Sequence, residues 1–189
     1  SEKVSGVTPK EIEKKNITAV SSYTHAVEFG DSPILIGERI NPTGKKLLKE
    51  ALRNNDINYI LNEAIKQQEK NVHVLDVNVG LPEICEPEMM CRAINAISAV
   101  CDLPLQIDSS DSKTLSEAMR IYNGKPLVNS VNGKEESLSG VLPLVAKYGG
   151  AVVALTLDES GIPPTAEGRL AIARKIVERG AEYGLKPSD

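Results

Sequence analysis

The chain has 189 residues, 41% of them hydrophobic and 25% charged, with a formal net charge of -4 at pH 7. That is long enough to bury a full core, while the acidic balance, the absence of Trp and the single Phe exclude the basic stripe and stacking platforms of a nucleic-acid binder. No apolar run approaches the roughly 18 residues that span a bilayer, and the N-terminal SEKVSGVTPKEIEKK lacks the apolar centre of a signal peptide, so a cytoplasmic setting without nucleic-acid or membrane partners is expected.

The first structural signal is Thr8-Pro9-Lys10-Glu11, a capping box with Pro at the first helical position, which predicts a short helix through Lys15. ITAVSSYTHAVEF then reads as extended, irregular structure, and Gly30-Asp31-Ser32 before Pro33 as a turn. Residues 1–33 are therefore expected to be a linker or arm. From Ile34 onward, short β-rich runs alternate with stretches of helical period. Strands are predicted near 34–37, 72–78, 104–108, 126–130 and 151–157, and helices near 45–53, 57–70, 86–100, 112–122, 134–147 and 165–183. In YILNEAIKQQEKN, Ile60, Leu61, Ala64 and Ile65 form an apolar stripe, which leaves Glu63, Lys66, Gln67 and Lys70 facing water. Helix ends are marked by Gly124, Gly149-Gly150 and Gly184. Cys85, Cys91 and Cys101 show no C-x-x-C spacing, which predicts reduced core thiols and no metal site. His73 falls inside a strand and is expected to be packed.

Strict β-α alternation implies a parallel sheet covered by helices through right-handed crossovers. Each strand also turns polar at its C-terminal end. ILIGERIN closes on Glu38, Arg39 and Asn41, VHVLDVNVG on Asp76 and Asn78, LPLQIDSSD on Asp108, PLVNSVN on Asn129, Ser130 and Asn132, and AVVALTLDE on Asp158 and Glu159. A carboxylate at the tip of a buried strand loses hydration and must be compensated by hydrogen bonds from the protein or a ligand. A flavodoxin-like open sheet is complete in five strands but gathers its ligand at the ends of only some of them. A (β/α)8 barrel collects polar residues from every strand at one mouth, though it typically takes about 250 residues. The polar tips select the barrel and the length makes it partial: the expected fold is α/β, a partial (β/α)8 TIM barrel of about five β/α units. Period two places Ile36 and Glu38, Asp76 and Asn78, Gln106 and Asp108, and Thr156 and Asp158 on one face of their strands. With these faces inward, the carboxylates and amides converge.

In this order, ILIGERINPTGKK, HVLDVNVG, LPLQIDSSD, PLVNSVNGK and YGGAVVALTLDESGIP resemble the pterin-binding barrel of cobalamin-dependent methionine synthases and of methyltetrahydrofolate:corrinoid methyltransferases, a family that shares its fold with dihydropteroate synthase. The resemblance covers residues 34–189 and implies that they are a truncated pterin-binding barrel domain. SGVTPKEI is similar to the tail of the homocysteine-binding barrel that precedes this domain in methionine synthases, where a zinc-binding cysteine pair is usual. Val4 and Ser5 stand near that place, so residues 1–33 are expected to be the linker from that module and to bind no metal.

The resemblance further implies that Asp108 and Asn129 bind the pterin. A pterin edge presents adjacent N3–H and 2-amino donors, to which a carboxylate offers two parallel acceptors, and an amide both donates and accepts. On residue chemistry alone, Asp108 is alternatively a helix cap, although Ser110 and Asp111 are placed for that, and Asn129 alternatively closes a turn before Asn132-Gly133. Asp76 and Asn78 either contact the ligand or satisfy strand-end hydrogen bonds. Glu38 and Arg39 are expected to form an ion pair at the mouth, and Asn41 to open a mobile loop through Pro42 and Gly44. Asp158 either lines the mouth or caps the following turn. Lys45, Lys46, Lys49 and Arg53 are expected to be an exposed helical face rather than a site for a polyglutamate tail. The expected substrate-binding set is thus Asp108, Asn129, Asp76, Asn78, Glu38 and Asn41.

The implied reaction is methyl transfer from N5 of methyltetrahydrofolate to cob(I)alamin held on a separate module, with homocysteine the final acceptor in a methionine synthase. N5 leaves poorly until it is protonated, so the site must orient the pterin and support positive charge at N5. Further pterin ligands of the family lie on later strands. Hence no catalytic residue is expected within this chain, the fragment is expected to be inactive by itself, and the open edges at Ile34–Gly37 and Ala151–Leu157 are expected to attract a second copy. Folate and a cobalamin-binding domain or corrinoid protein are the implied partners. Three alternatives remain: a methyltetrahydrofolate:corrinoid protein methyltransferase; a dihydropteroate synthase, whose first-strand loop carries Thr-Pro-Asp-Ser-Phe where this chain has Asn41-Pro42-Thr43-Gly44-Lys45; and a non-enzymatic flavodoxin-like module with strand order 2-1-3-4-5.

Overall fold

A computed structural model of the chain describes residues 6–8 and 16–189. The capping-box helix predicted through Lys15, together with Val4 and Ser5, lies outside the described residues. Two strands, β1 (Thr18–Ser21) and β2 (Ala26–Phe29), form an antiparallel hairpin. Strands β3 (Ile36–Ile40), β4 (Val74–Val77), β5 (Leu105–Asp108), β6 (Leu127–Asn132) and β7 (Ala151–Leu155) form one sheet in chain order, every neighbour parallel. Between and after them lie α1 (Lys46–Arg53), α2 (Ile57–Gln68), α3 (Glu86–Ser98), α4 (Ser112–Ile121), α5 (Glu135–Tyr148) and α6 (Ala166–Glu182). Sequence order leaves no switch point, which rejects the flavodoxin-like arrangement and makes the sheet one arc of a (β/α)8 wall.

Alternation along the strands builds two separate cores. Leu75, Val77, Leu105, Ile107 and Val128 face the helices and pack with Ile94, Leu115 and Leu138. Their alternates Val74, Leu127 and Ala151 face the other way and pack with Val20 of the hairpin. Burying each large aliphatic side chain contributes about 1.5–3 kcal/mol, so the hairpin is anchored through Val20, which is fully buried. Three of the six helices among the described residues begin on side-chain caps: in α2 Asp56 accepts the amide of Tyr59, in α4 Asp111 those of Lys113 and Thr114, and in α6 Thr165 that of Gly168. Each such cap is worth about 1 kcal/mol. No helix among the described residues is long and apolar enough to cross a membrane.

The segment ITAVSSYTHAVEF, expected as irregular, is thus a hairpin in the register Thr18 to Phe29 and Ser21 to Ala26. Its turn lacks the Asn-Gly or Asp-Gly signature of short hairpins and is tied instead by Ser22 Oγ, which accepts the amides of Thr24 at 3.3 Å and His25 at 3.0 Å. The hairpin lies at the N-terminal end of the sheet. Ser21 N donates to the Lys125 carbonyl at 2.8 Å and Lys125 N to Ser21 Oγ at 3.0 Å. The Tyr122 hydroxyl donates to the Ser21 carbonyl and accepts the amide of Leu105, both at 3.0 Å. Gly124 permits this contact, since a Cβ there would lie 2.2 Å from the Ser21 carbonyl oxygen. Gly124→Ala is expected to destabilise the chain by about 1–3 kcal/mol. Urea denaturation checks this, and an unchanged midpoint would show that the hairpin contributes little.

Three surface expectations are corrected. Gln67, expected in water, is 5% exposed. β3 is irregular between Gly37 and Ile40, and there the Arg39 amide donates to Gln67 Oε1 at 2.9 Å instead of joining the ladder. His73, expected to be packed, is exposed because it lies just before β4, where its Nδ1 accepts the amide of Leu35 at 2.9 Å. Of the three free thiols Cys101 is buried, but Cys85 is exposed, since it is the residue that precedes the first turn of α3.

Candidate functional site

The C-terminal ends of the strands, opposite the hairpin, carry the polar residues. Register brings them together: Asp76 lies beside Gln106 and Asp108 beside Asn129, with Asp108 two residues beyond Gln106 on the same face. Two amide–carboxylate pairs therefore cross β4 and β5 in opposite senses. In the lower pair Gln106 Nε2 donates to Asp76 Oδ1. In the upper pair Asn78 Nδ2 donates to Asp108 Oδ2 at 2.9 Å, and Asn78 Oδ1 accepts the amide of Gly80 at 2.9 Å, which fixes the orientation of the Asn78 amide.

The two carboxylates differ in environment. Asp76 is 1% exposed, and its Oδ2 is buried without a partner among the described residues. Burial pushes its carboxyl up to about 7, opposed by the Gln106 hydrogen bond and reinforced by the nearby charges of Asp108 and Glu38, with Lys45 acting the other way. Such a group is divided between its two protonation states near neutrality. Asp108 is only part-buried. Its carboxyl is also pushed above the usual range by burial, with the Asn78 hydrogen bond opposing and the Glu38 charge adding to the rise.

Asp108 and Asn129 open onto a cleft of about 340 Å³ that is also lined by Ser109, Ser110, Ser130 and Lys134. Across the β5–α4 loop a second hollow of about 490 Å³ is lined by Thr43, Asn78, Gly80 and Glu86. Glu86 was not expected here. It accepts the Ser109 hydroxyl, while Ser109 Oγ accepts the amide of Asp111 at 3.1 Å, so the first turn of α3 braces the loop behind Asp108. Glu86 stands 23 residues from Ser109 and only the fold joins them. Gln106 does carry a signal in the sequence, the strand face that it shares with Asp108.

Hydrogen bonds show which residues cap the helices and close the turns. Asp111, not Asp108, caps α4, accepting the amides of Lys113 at 3.3 Å and Thr114 at 2.9 Å. Asn132, not Asn129, closes the turn into α5, its Oδ1 accepting the amide of Lys134 at 2.9 Å. Asp158 serves its own turn, accepting the amide of Ser160 at 2.8 Å and pairing through its backbone with Gly161. Asn41 is buried, and its Oδ1 accepts the amide of Thr43 at 3.0 Å, so it shapes the loop after β3. Glu38 and Arg39 do not pair. Neighbours along a strand point to opposite faces, and accordingly Arg39 meets Glu63 at 3.7 Å and Glu38 meets Lys45 at 3.9 Å. Among the described residues no group of three or more His, Cys, Asp or Glu is arranged to hold a metal ion.

Residues 37–187 match the family described as pterin binding enzyme. The chain belongs to the pterin-binding enzyme family. Over 166 residues the domain is 32% identical to a methionine synthase of Mycobacterium leprae (strain TN), covering 84% of this chain and 14% of that protein. Over 157 residues it is 31% identical to the methylcorrinoid:tetrahydrofolate methyltransferase of Eubacterium limosum, covering 82% of this chain and 58% of that protein. The pterin-binding domain thus spans a small part of the methionine synthases that it matches and somewhat over half of the methyltransferase. Among solved structures, 7,8-dihydropteroate synthase from Vibrio fischeri ES114 aligns with a TM-score of 0.66 at 16% identity, covering 90% of this chain and 63% of that one. A likeness at that identity speaks for fold alone, and it makes the open sheet of the pterin-binding domain a partial barrel of the dihydropteroate synthase type.

Proposed function

We propose that this pterin-binding domain positions 5-methyltetrahydrofolate for methyl transfer to cob(I)alamin carried by a separate module, and, in a methionine synthase, onward to homocysteine. The observation that carries this reading is the in-register placement of Asp108 beside Asn129 on one cleft, with Asn78 holding a single oxygen of the carboxylate. Each carboxylate oxygen has two lone pairs, so Asn78 orients the group and leaves acceptor capacity for the N3–H and 2-amino donors of a pterin, a bidentate charge-assisted pair. The Asn129 amide suits the mixed donor and acceptor edge beside it. Asp76, Glu38 and Asn41 support the mouth from β4 and β3, Asn41 by shaping the loop. The 31–32% identity to a methionine synthase and a methylcorrinoid:tetrahydrofolate methyltransferase favours this reading over dihydropteroate synthase, where the likeness at 16–17% identity is one of fold.

The corrinoid supplies the nucleophile that takes the methyl group. The two histidines of the chain are His25, in the hairpin turn, and His73, just before β4. Neither lies at the strand ends that form the mouth. What the chain's own residues do is orient: Asp108 and Asn129 grip the edge of the pterin remote from N5, and the open top leaves room for in-line approach to the methyl.

Because β3 and β7 are unpaired edges of the described sheet, further β/α units or a second copy would cover them. Titration of methyltetrahydrofolate against this chain, and against a longer chain carrying further β/α units, tests the reading. Measurable binding that tightens in the longer chain is expected, with light scattering on the same samples reading whether the shorter chain pairs with itself. No binding by the longer chain would reject a pterin site at Asp108. A monomer would reject pairing through the edges.

A further inference from the structure

The lower amide–carboxylate pair has no part in the grip just described. Asp76 and Gln106 face each other across β4 and β5, one step below Asn78 and Asp108, and are 1% and 7% exposed. Gln106 Nε2 donates to Asp76 Oδ1, and Oδ2 is left without a partner among the described residues. The charged groups facing Asp76 are Asp108 on β5, Glu38 on β3 and Lys45 in the loop after β3. An amide that occupies one oxygen of a buried carboxyl fixes its plane, leaves the other oxygen as the place for a proton and favours the charged form against desolvation. When Asp76 is charged, a second negative charge lies beneath Asp108.

We propose that Gln106 is a positioning residue of the pterin site: its amide fixes the Asp76 carboxyl on the floor, and through it the charge that a ligand gripped by Asp108 meets from below. The inference rests on the pterin reading of the same mouth. It makes affinity for a reduced folate pH-dependent around neutrality, with Gln106 setting the pH at which the change falls.

The test replaces Gln106 with Met, which is close in volume, and separately with Glu. Carboxyl-carbon NMR of the ligand-free chain reads the titration of Asp76, and the tetrahydrofolate affinity of the longer chain carrying further β/α units is measured across the same pH range. In the unsubstituted chain Asp76 is expected to titrate near 7. Gln106→Met is expected to raise that midpoint by about one pH unit or more, the size of one lost charge-assisted hydrogen bond. Gln106→Glu is expected to raise it too, because two carboxyls in contact resist ionising together. The break in affinity should move by the same amount as the midpoint. A midpoint that stays put in both variants overturns the proposal, as does a midpoint that moves while the break in affinity does not. No tetrahydrofolate binding at any pH by the longer chain with Gln106 in place overturns the pterin reading and the positioning role with it, and is told apart by a midpoint that still moves.

Discussion

Asp76→Asn is expected to stabilise the chain above pH 7 by about 1–3 kcal/mol and to destabilise it by about 1–3 kcal/mol below pH 3.8, where the wild-type carboxyl is protonated in both the folded and unfolded states and only the cost of the unpartnered amide nitrogen remains. The unfolded Asp76 ionises near 3.8 and the folded one near 7. Between those values the native state holds a proton that the unfolded chain has released. Stability therefore falls as pH rises through that window, and the full penalty applies above it. A shift of that size corresponds to at most about 4 kcal/mol. Asparagine keeps the shape and can still accept from Gln106, but its amide nitrogen needs a partner where Oδ2 has none, which returns about 1–3 kcal/mol of the gain. Urea denaturation at the two ends of the window measures the difference. An Asp76→Asn chain whose stability keeps the wild-type slope with pH would show that Asp76 is not the group responsible. A buried carboxylate retained at such a cost belongs to the kind of local conflict that proteins keep at functional sites.

Asp108→Asn is expected to weaken tetrahydrofolate binding by about 100-fold or more while leaving the fold intact. Losing charge-assisted hydrogen bonds of about 1.5–3 kcal/mol each accounts for the size. The variant also places an NH2 group where the pterin presents donors, or against the Asn78 amide, which itself donates at that position. The fold should survive because Asp108 is part-buried and the cap of α4 belongs to Asp111. Isothermal titration of the longer chain, alongside its thermal unfolding, separates the two effects. Affinity within a few-fold of wild type would remove Asp108 from the site.

The arc of strands and helices was readable because each element carries its own period. The strand of LPLQIDSSD and the helix opening at Ser112 fall within a residue of their observed bounds, since burial on two faces leaves a strand a short apolar run and Asp111 marks where the helix begins. The hairpin was not readable. Val20 becomes a core residue only by meeting Val74, Leu127 and Ala151, which lie far along the chain, and its turn is tied by a serine rather than by the usual Asn or Gly. The burial of Gln67 is hidden from the sequence for the same reason. Its position on α2 has the polarity of a surface, and the irregularity in β3 that exposes the Arg39 amide has no local signature.

Alternation along the chain by itself determined that carboxylates and amides end successive parallel strands and share one face, because a strand has period two whatever surrounds it. Tertiary structure decided which of them touch. Strand register put Asp108 beside Asn129 and Gln106 beside Asp76, while α2 brought Glu63 to Arg39 and the loop after β3 brought Lys45 to Glu38. Burial then set their charge, leaving Asp76 near neutrality on the floor and Asp108 closer to the solvent above it. Desolvation depends on the neighbours that folding supplies, and no stretch of sequence contains them.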